Sequence, residues 1–356
     1  MKFLAACTAI SLTLVLLVTG CDSGPSDFVP HPSALSATRS SPAIRPAPVA
    51  ISRKESWSFI EPGGSILSTP HFRIFTTAKS GVILDRLPNF TESSLARYST
   101  SITALPAPAR QLDTYFLATR PQWARMTQSL MGPEAEKLLR IQRGGFAHQG
   151  QGVFFDIGPR DTFALMAHEG WHQYTQSTFR QPLPVWLEEG IATTMEGFRW
   201  DDTNLDVPVF LPWANLERFD MLRSAHTSKR LISLHRLFAT TPQEELSVSQ
   251  DGTLIYYSQV WALSLFLIEG ENGKYRPGLE QLLKDAAAGT VFAKIARSLG
   301  TQAAQSTLLR RRGPEIFMSY FSKNISAVET EYQDFIARVT AVGAKERIVR
   351  GESPLR

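Results

Sequence analysis

The sequence predicts an α+β fold: a small mixed sheet lobe carrying one helix with paired histidines, followed by a mainly helical lobe. Three observations predict it. Segments rich in aromatic and β-branched residues recur in the first half, at TPHFRIFTT (69–77), DTYFLA (113–118) and GVFFDI (152–157), with the alternation of strands. The run FALMAHEGWHQYTQ (163–176) is broken by no Pro and by one Gly, Gly170. Beyond Pro184 the apolar spacing is helical almost to the end.

Taken in order, residues 1–20 (MKFLAACTAISLTLVLLVTG) place one Lys ahead of a short apolar run, the layout of an export signal and too short for a membrane span. Val18-Thr19-Gly20-Cys21 then resembles the bacterial lipobox, which implies that Cys21 becomes the lipidated first residue of the mature chain. Asp22 resembles the residue that retains enteric lipoproteins in the inner membrane. Cys7 and Cys21 are the only cysteines among 356 residues, so no disulfide is expected and stability must come from the core. Residues 22–50 hold six Pro, six Ser and five Ala, a composition that cannot build a core and reads as a tether spanning about 21–53. A folded domain is expected over 54–345, with the sheet lobe to about 178 and the helical lobe after it, and a tail at 346–356.

Within that domain, helical sequence separates the first two strands. Asp161 or Thr162 is placed to cap the histidine helix; Pro182 and Pro184 close it, and Pro184 suits the first turn of the next. QVWALSLFLI (259–268) is apolar almost all round and predicts a buried helix. Leu279, Leu282, Leu283 and Ala286 form one stripe ended by Gly289. Ser326 and Glu329 form a capping box ahead of Val328, Tyr332, Phe335, Ile336 and Val339. The net charge of +4 is mild, and the one basic run, Arg310-Arg311-Arg312, reads as a solvated helix face. No nucleic-acid motif is present.

The chemistry concentrates in LMAHEGWHQ (165–173) and PVWLEEGIA (184–192). His168 and His172, four apart, project from one helix face and can share a tetrahedral ion, while Glu169 is placed to take a proton from an activated water. An HExxH pattern alone arises by chance in roughly one chain per hundred of this composition. Catalytic zinc takes three protein ligands and a water, and Glu188 and Glu189 compete for the third position. Trp171 and Trp186 flank the ligands as packing residues. Glu196 either bonds a ligand histidine or lies exposed. Gly170 costs about 1 kcal/mol against Ala in a helix, so it marks a spot where a side chain would crowd the helix or its neighbour. His148, in the Gly-rich stretch GGFAHQGQG, reads as a loop histidine, and His31 and His71 carry still less.

HEGWH followed by WLEEGIA resembles the gluzincin metallopeptidases, whose second motif runs Trp-Leu-Asn-Glu-Gly-aromatic-Ala. That resemblance implies a zincin-like fold, Zn2+ as cofactor, Glu189 as third ligand, and Glu188 in the place of the family's Asn, either facing solvent or standing behind the ligands. A Tyr that stabilises the oxyanion is implied at Tyr257, with Tyr256, His226 and His235 as rivals, and the two tyrosines packing beside Trp261 as the plain alternative. The strand GVFFDI takes the position of the zincin edge strand along which a peptide lies, although Phe154 and Phe155 equally suit the core. The aminopeptidase motif Gly-x-Met-Glu-Asn is absent and the gap between the two zinc motifs is slightly shorter, so aminopeptidase specificity is not implied. The peptidase MA-like bacterial families, often lipoproteins, are a closer resemblance, over roughly residues 69–340. The expected function is a membrane-anchored zinc metallopeptidase of the cell envelope acting on peptide or protein substrates. The alternative is a non-catalytic lipoprotein of the same fold that serves as an envelope interaction module.

Overall fold

The computed structural model describes residues 49, 51–59 and 61–355; the leader, Cys21 and His31 lie outside the described residues. Among these residues, eight strands and fifteen α-helices follow in the order β1 (Arg53–Phe59), β2 (Glu61–Ser68), β3 (Phe72–Thr76), α1 (Val82–Thr100), β4 (Leu112–Leu117), α2 (Arg120–Met131), α3 (Ala135–Leu138), β5 (Gly145–His148), β6 (Gln151–Phe155), α4 (Pro159–Thr178), α5 (Val185–Met195), β7 (Phe198–Trp200), β8 (Pro208–Phe210), α6 (Leu216–Thr227), α7 (Leu234–Ala239), α8 (Pro242–Val248), α9 (Gly252–Glu269), α10 (Arg276–Ala288), α11 (Val291–Leu299), α12 (Thr301–Arg310), α13 (Glu315–Tyr320), α14 (Ile325–Val339) and α15 (Ala344–Arg350). The chain is thus mixed α+β, with a mainly helical C-terminal part.

Six strands form one sheet in the order β1-β2-β3-β4-β6-β5. β3, β4 and β6 are parallel, and β1–β2–β3 and β5–β6 pair antiparallel. The three expected strands are β3, β4 and β6. Alternation sends their side chains to opposite faces: Phe72, Ile74, Phe116 and Phe154 join the core with α1 and α4, while Tyr115, Leu117, Val153 and Phe155 pack with Trp123 and Met126 of α2. Phe154 and Phe155 are therefore core residues, as one of the two readings had them.

Several expectations need correction. GVFFDI is not the sheet edge: β6 lies between β4 and β5, and the edge strand is β5. His148 accordingly sits at the end of a strand rather than in a loop. The Gly-rich composition that suggested a loop reflects close packing, because a Cβ at Gly145 would lie 2.6 Å from the Phe154 ring and 2.7 Å from the Val153 carbonyl oxygen. Helix α4 begins at Pro159 with Gly158 as N-cap, so neither Asp161 nor Thr162 caps it; the Thr162 hydroxyl instead accepts the Ile157 amide at 3.0 Å. α14 is capped by Asn324, whose side chain accepts the Ala327 amide at 3.0 Å. Glu329 is therefore no capping-box partner and accepts the Leu234 amide. β7 and β8 interrupt the helical half, and residues 346–350 belong to α15, which buries Ile348.

α9 carries QVWALSLFLI and is buried nearly all round. It lies against α5, α6 and α8. α10 ends at Gly289 in the left-handed conformation, as its stripe predicts. One continuous apolar cluster runs from Leu67 through Trp171 and Trp186 to Ile348. At about 1.5–3 kcal/mol for each large apolar side chain fully buried, such a core needs no disulfide.

Candidate metal centre

α4 and α5 pack against each other, and the candidate residues sit where they meet. Two glutamines hold α4 in register with the sheet. Gln173 Nε2 donates to the carbonyls of Asp113 (2.8 Å) and Gly150 (3.1 Å), and Gln176 Oε1 accepts the Gly150 amide at 3.1 Å. From α1 the Tyr98 hydroxyl donates to the Ala167 carbonyl at 2.7 Å, and a Cβ at Gly170 would lie 2.5 Å from that hydroxyl. Gly170 thus lets α1 approach the histidine turn. Gly190 does the same between α5 and α9, where a Cβ would stand 2.4 Å from Ser264 Oγ and 2.6 Å from the Val260 carbonyl.

These contacts bring His168, His172 and Glu189 together. Their ligand atoms all fall within 4.8 Å of one another. Glu189 Oε2 is 3.5 Å from His168 Nε2 and 3.6 Å from His172 Nε2. Tetrahedral bonds of about 2.0–2.2 Å place neighbouring ligand atoms roughly 3.3–3.6 Å apart, so the two distances from Glu189 suit a shared ion.

The hydrogen bonds behind the rings point the same way. His168 Nδ1 meets Glu196 Oε1 at 2.8 Å, and His172 Nδ1 meets Glu188 Oε1 at 3.1 Å. A carboxylate only accepts, so each Nδ1 carries a proton and each Nε2 faces inward. Both Nε2 atoms are buried without a hydrogen-bond partner. Burial opposes a second proton on either ring, yet Glu189, aided by Glu196 behind His168 and Glu188 behind His172, draws both imidazoles above their ordinary range. A metal ion competes for the same Nε2 lone pairs as that proton. A buried polar atom left unmatched costs about 1–3 kcal/mol, and a cation held among these atoms removes that cost. This buried His-His-Glu group can hold a metal ion.

The carboxylates are set by their surroundings. Burial works against charge on Glu189, yet His172 and His168 hold its carboxyl well below the usual range. Burial also opposes ionisation of Glu196, but Arg218 and His168 prevail and lower it to about 2. Arg218 grips Glu196 with two nitrogens, at 3.2 and 3.1 Å, and Asn215 Nδ2 donates to it at 2.7 Å. Glu188 also accepts the Thr175 hydroxyl at 2.6 Å. Glu169 is fully buried, and neither of its oxygens completes a hydrogen bond, although the Ala147 backbone of β5 is near enough to steady its charge slightly. Burial pushes its carboxyl up to about 7 against the pull of His172 and His168, a range suited to taking and returning protons.

Of the expected residues, the structure brings His168, Glu169, His172, Glu189 and Tyr257 into one place. The Tyr257 ring lies 6.1 Å from that of His168 and its hydroxyl is buried without a partner. Tyr256 is equally buried, 5.9 Å from Tyr257 ring to ring. The rival histidines lie elsewhere: His226 bonds Thr340 Oγ1 at 2.8 Å, and His235 is exposed on α7. His71 pairs with Glu92 at 2.8 Å. Trp171 packs against Tyr98 and Tyr174, and Trp186 against Phe238 and Phe317, the packing roles expected of them.

Glu196, open between two readings in the sequence, bonds His168 and is not an exposed helix carboxylate. Its partners Asn215 and Arg218 were missed, because they reach the site from the start of α6 with no motif to mark them. A cleft of about 340 Å³ opens beside His168, lined also by Leu165, Glu196, Phe198, Asn215 and Arg218. The chain matches no protein-family model and no curated protein.

Proposed function

We propose that this chain is a zinc metallopeptidase of the gluzincin type on a zincin-like fold, anchored to the bacterial envelope through a lipidated Cys21. The observation that carries the reading is the convergence of His168, His172 and Glu189, each imidazole backed by a carboxylate, with the buried Glu169 carboxyl beside them. A two-nitrogen, one-oxygen ligand set suits Zn2+. His168, His172 and Glu189 would hold the zinc, which would contribute Lewis acidity toward a carbonyl and a bound water.

The chain's own residues do the remaining work. Glu169 takes the proton of the attacking water and returns it to the leaving amine. Tyr257 donates its hydroxyl to the carbonyl oxygen as negative charge grows there. Glu196 and Glu188 fix the tautomers of His168 and His172. β5 pairs only with β6 among the described strands, and its other edge offers an extended peptide a place to pair by strand addition. The cleft beside His168 has room for substrate side chains. No helix among the described residues is long and apolar enough to cross a membrane.

Glu169→Gln is the decisive variant. It is expected to keep about one zinc per chain and to lose peptide hydrolysis by several orders of magnitude, read with a peptide library and a chelator control. Full hydrolysis by that variant would refute the general-base role, and a wild-type protein that binds zinc but cleaves nothing would favour the interaction-module alternative.

A further inference from the structure

Each ligand histidine is backed by a carboxylate with an arginine beyond it, and the second arginine, more distant from its carboxylate than the first, comes from a remote part of the chain. Behind His168 stand Glu196 and then Arg218. Behind His172 stands Glu188, and beyond it Arg311, whose Nη2 lies 3.9 Å from Glu188 Oε2. Nothing in the sequence marks Arg311 for this place. It belongs to a basic run at the end of α12, expected to be a solvated face, and residues 189–310 separate it from Glu188.

Three contacts fix Arg311. Its carbonyl accepts the amide of Val185, the first residue of α5, at 2.9 Å. Its Nε donates to the Leu183 carbonyl at 2.8 Å. Its guanidinium then turns toward Glu188, with only 17% of the side chain exposed. Its backbone φ is +54° at the C-cap of α12, a left-handed conformation uncommon for a residue other than Gly, Asn or Asp. Arg311 is thus no part of a solvated face, and its neighbour Arg312 pairs with Glu244 at 2.6 Å.

We propose that Arg311 is a positioning residue for the metal centre: it sets the Glu188 carboxylate, and through it the His172 ring, while tying the start of α5 to the end of α12. The proposal rests on the metal-binding reading of His168, His172 and Glu189. Its physical basis is that Glu188 is a buried carboxylate, 5% exposed, whose Oε1 bonds the His172 ring. His172 and Thr175 both bond Glu188 Oε1, and Arg311 brings a cation to within 3.9 Å of Oε2 while its Nε still donates to Leu183, two contacts from one guanidinium that Lys cannot make together.

The test measures zinc affinity by chelator competition and the visible spectrum of the cobalt-substituted protein, which reports ligand geometry independently of turnover. Arg311→Gly is the informative truncation, because glycine accepts φ of +54° without strain and keeps the carbonyl that binds Val185. Arg311→Gly is expected to weaken zinc binding about 10-fold and to shift the cobalt bands, with Arg311→Lys falling between it and wild type in both readouts. Glu188→Gln is expected to weaken binding about 10–100-fold, and the double variant no further, since both changes break one chain of contacts. Zinc affinity within about twofold of wild type in Arg311→Gly, or losses that add in the double variant, overturns the proposal. A wild-type protein that binds no zinc instead overturns the metal-centre reading beneath it.

Discussion

Tyr256 and Tyr257 are adjacent on α9, equally buried, and both carry hydroxyls without a partner, so their roles are separated by what surrounds each ring. Tyr257 lies edge-on to His168 and under the Arg218 guanidinium at 5.2 Å, and Tyr256 has no such ring contact with a candidate ligand. In the proposed mechanism Tyr257→Phe lowers kcat by about 10²–10³-fold with zinc content unchanged, the cost of one lost oxyanion donor, and Tyr256→Phe stays near wild type. Steady-state kinetics with metal analysis checks this; the reverse pattern transfers the role to Tyr256. Single residues also differ in how far the sequence betrays them. His168, Glu169 and His172 were legible because one helical turn fixes their relation, whereas the place of Glu196 depends on Asn215 and Arg218, which only the folded chain brings near.

The elements at the site are held by close approaches, and two glycines make them. At Gly190 an added Cβ would press on the Val260 carbonyl, which belongs to helix backbone and cannot turn aside. At Gly170 it would meet the Tyr98 hydroxyl, the tip of a side chain. Overpacking costs about 1–3 kcal/mol, and Ala recovers about 1 kcal/mol of helix propensity. Gly190→Ala is therefore expected to lose about 2 kcal/mol and to loosen zinc binding by displacing Glu189, while Gly170→Ala loses less. Urea midpoints of the two variants give the order, and an equal or inverted order would show that α5 and α9 can slide apart freely. Helices with one apolar stripe or an all-apolar run, such as α10 and α9, were legible for the same reason that they pack well. β5 was not, because its glycine serves the Phe154 ring and looks like loop composition. β1 and β2 escaped notice because RKESWSF and EPGGSILS gain their strand character from pairing with each other and with β3.

Across the full chain, the order sheet-then-helices was readable from the change in apolar period near residue 160, but the extent of the joint between the halves was not. One apolar cluster crosses from the sheet through α4 and α5 to α15, and the candidate ligands sit on α4 and α5 within that crossing. A metal bound there would tie two helices inside that one cluster. Ligand binding to the folded state alone adds about 2.7 kcal/mol at a free concentration roughly 100 times Kd. Chelation is thus expected to lower Tm by several degrees while leaving one transition, and stoichiometric zinc to restore it, measured by scanning calorimetry. An unchanged Tm would mean that no metal stabilises the fold, and a split into two transitions after chelation would mean that the metal, rather than the shared core, joins the halves.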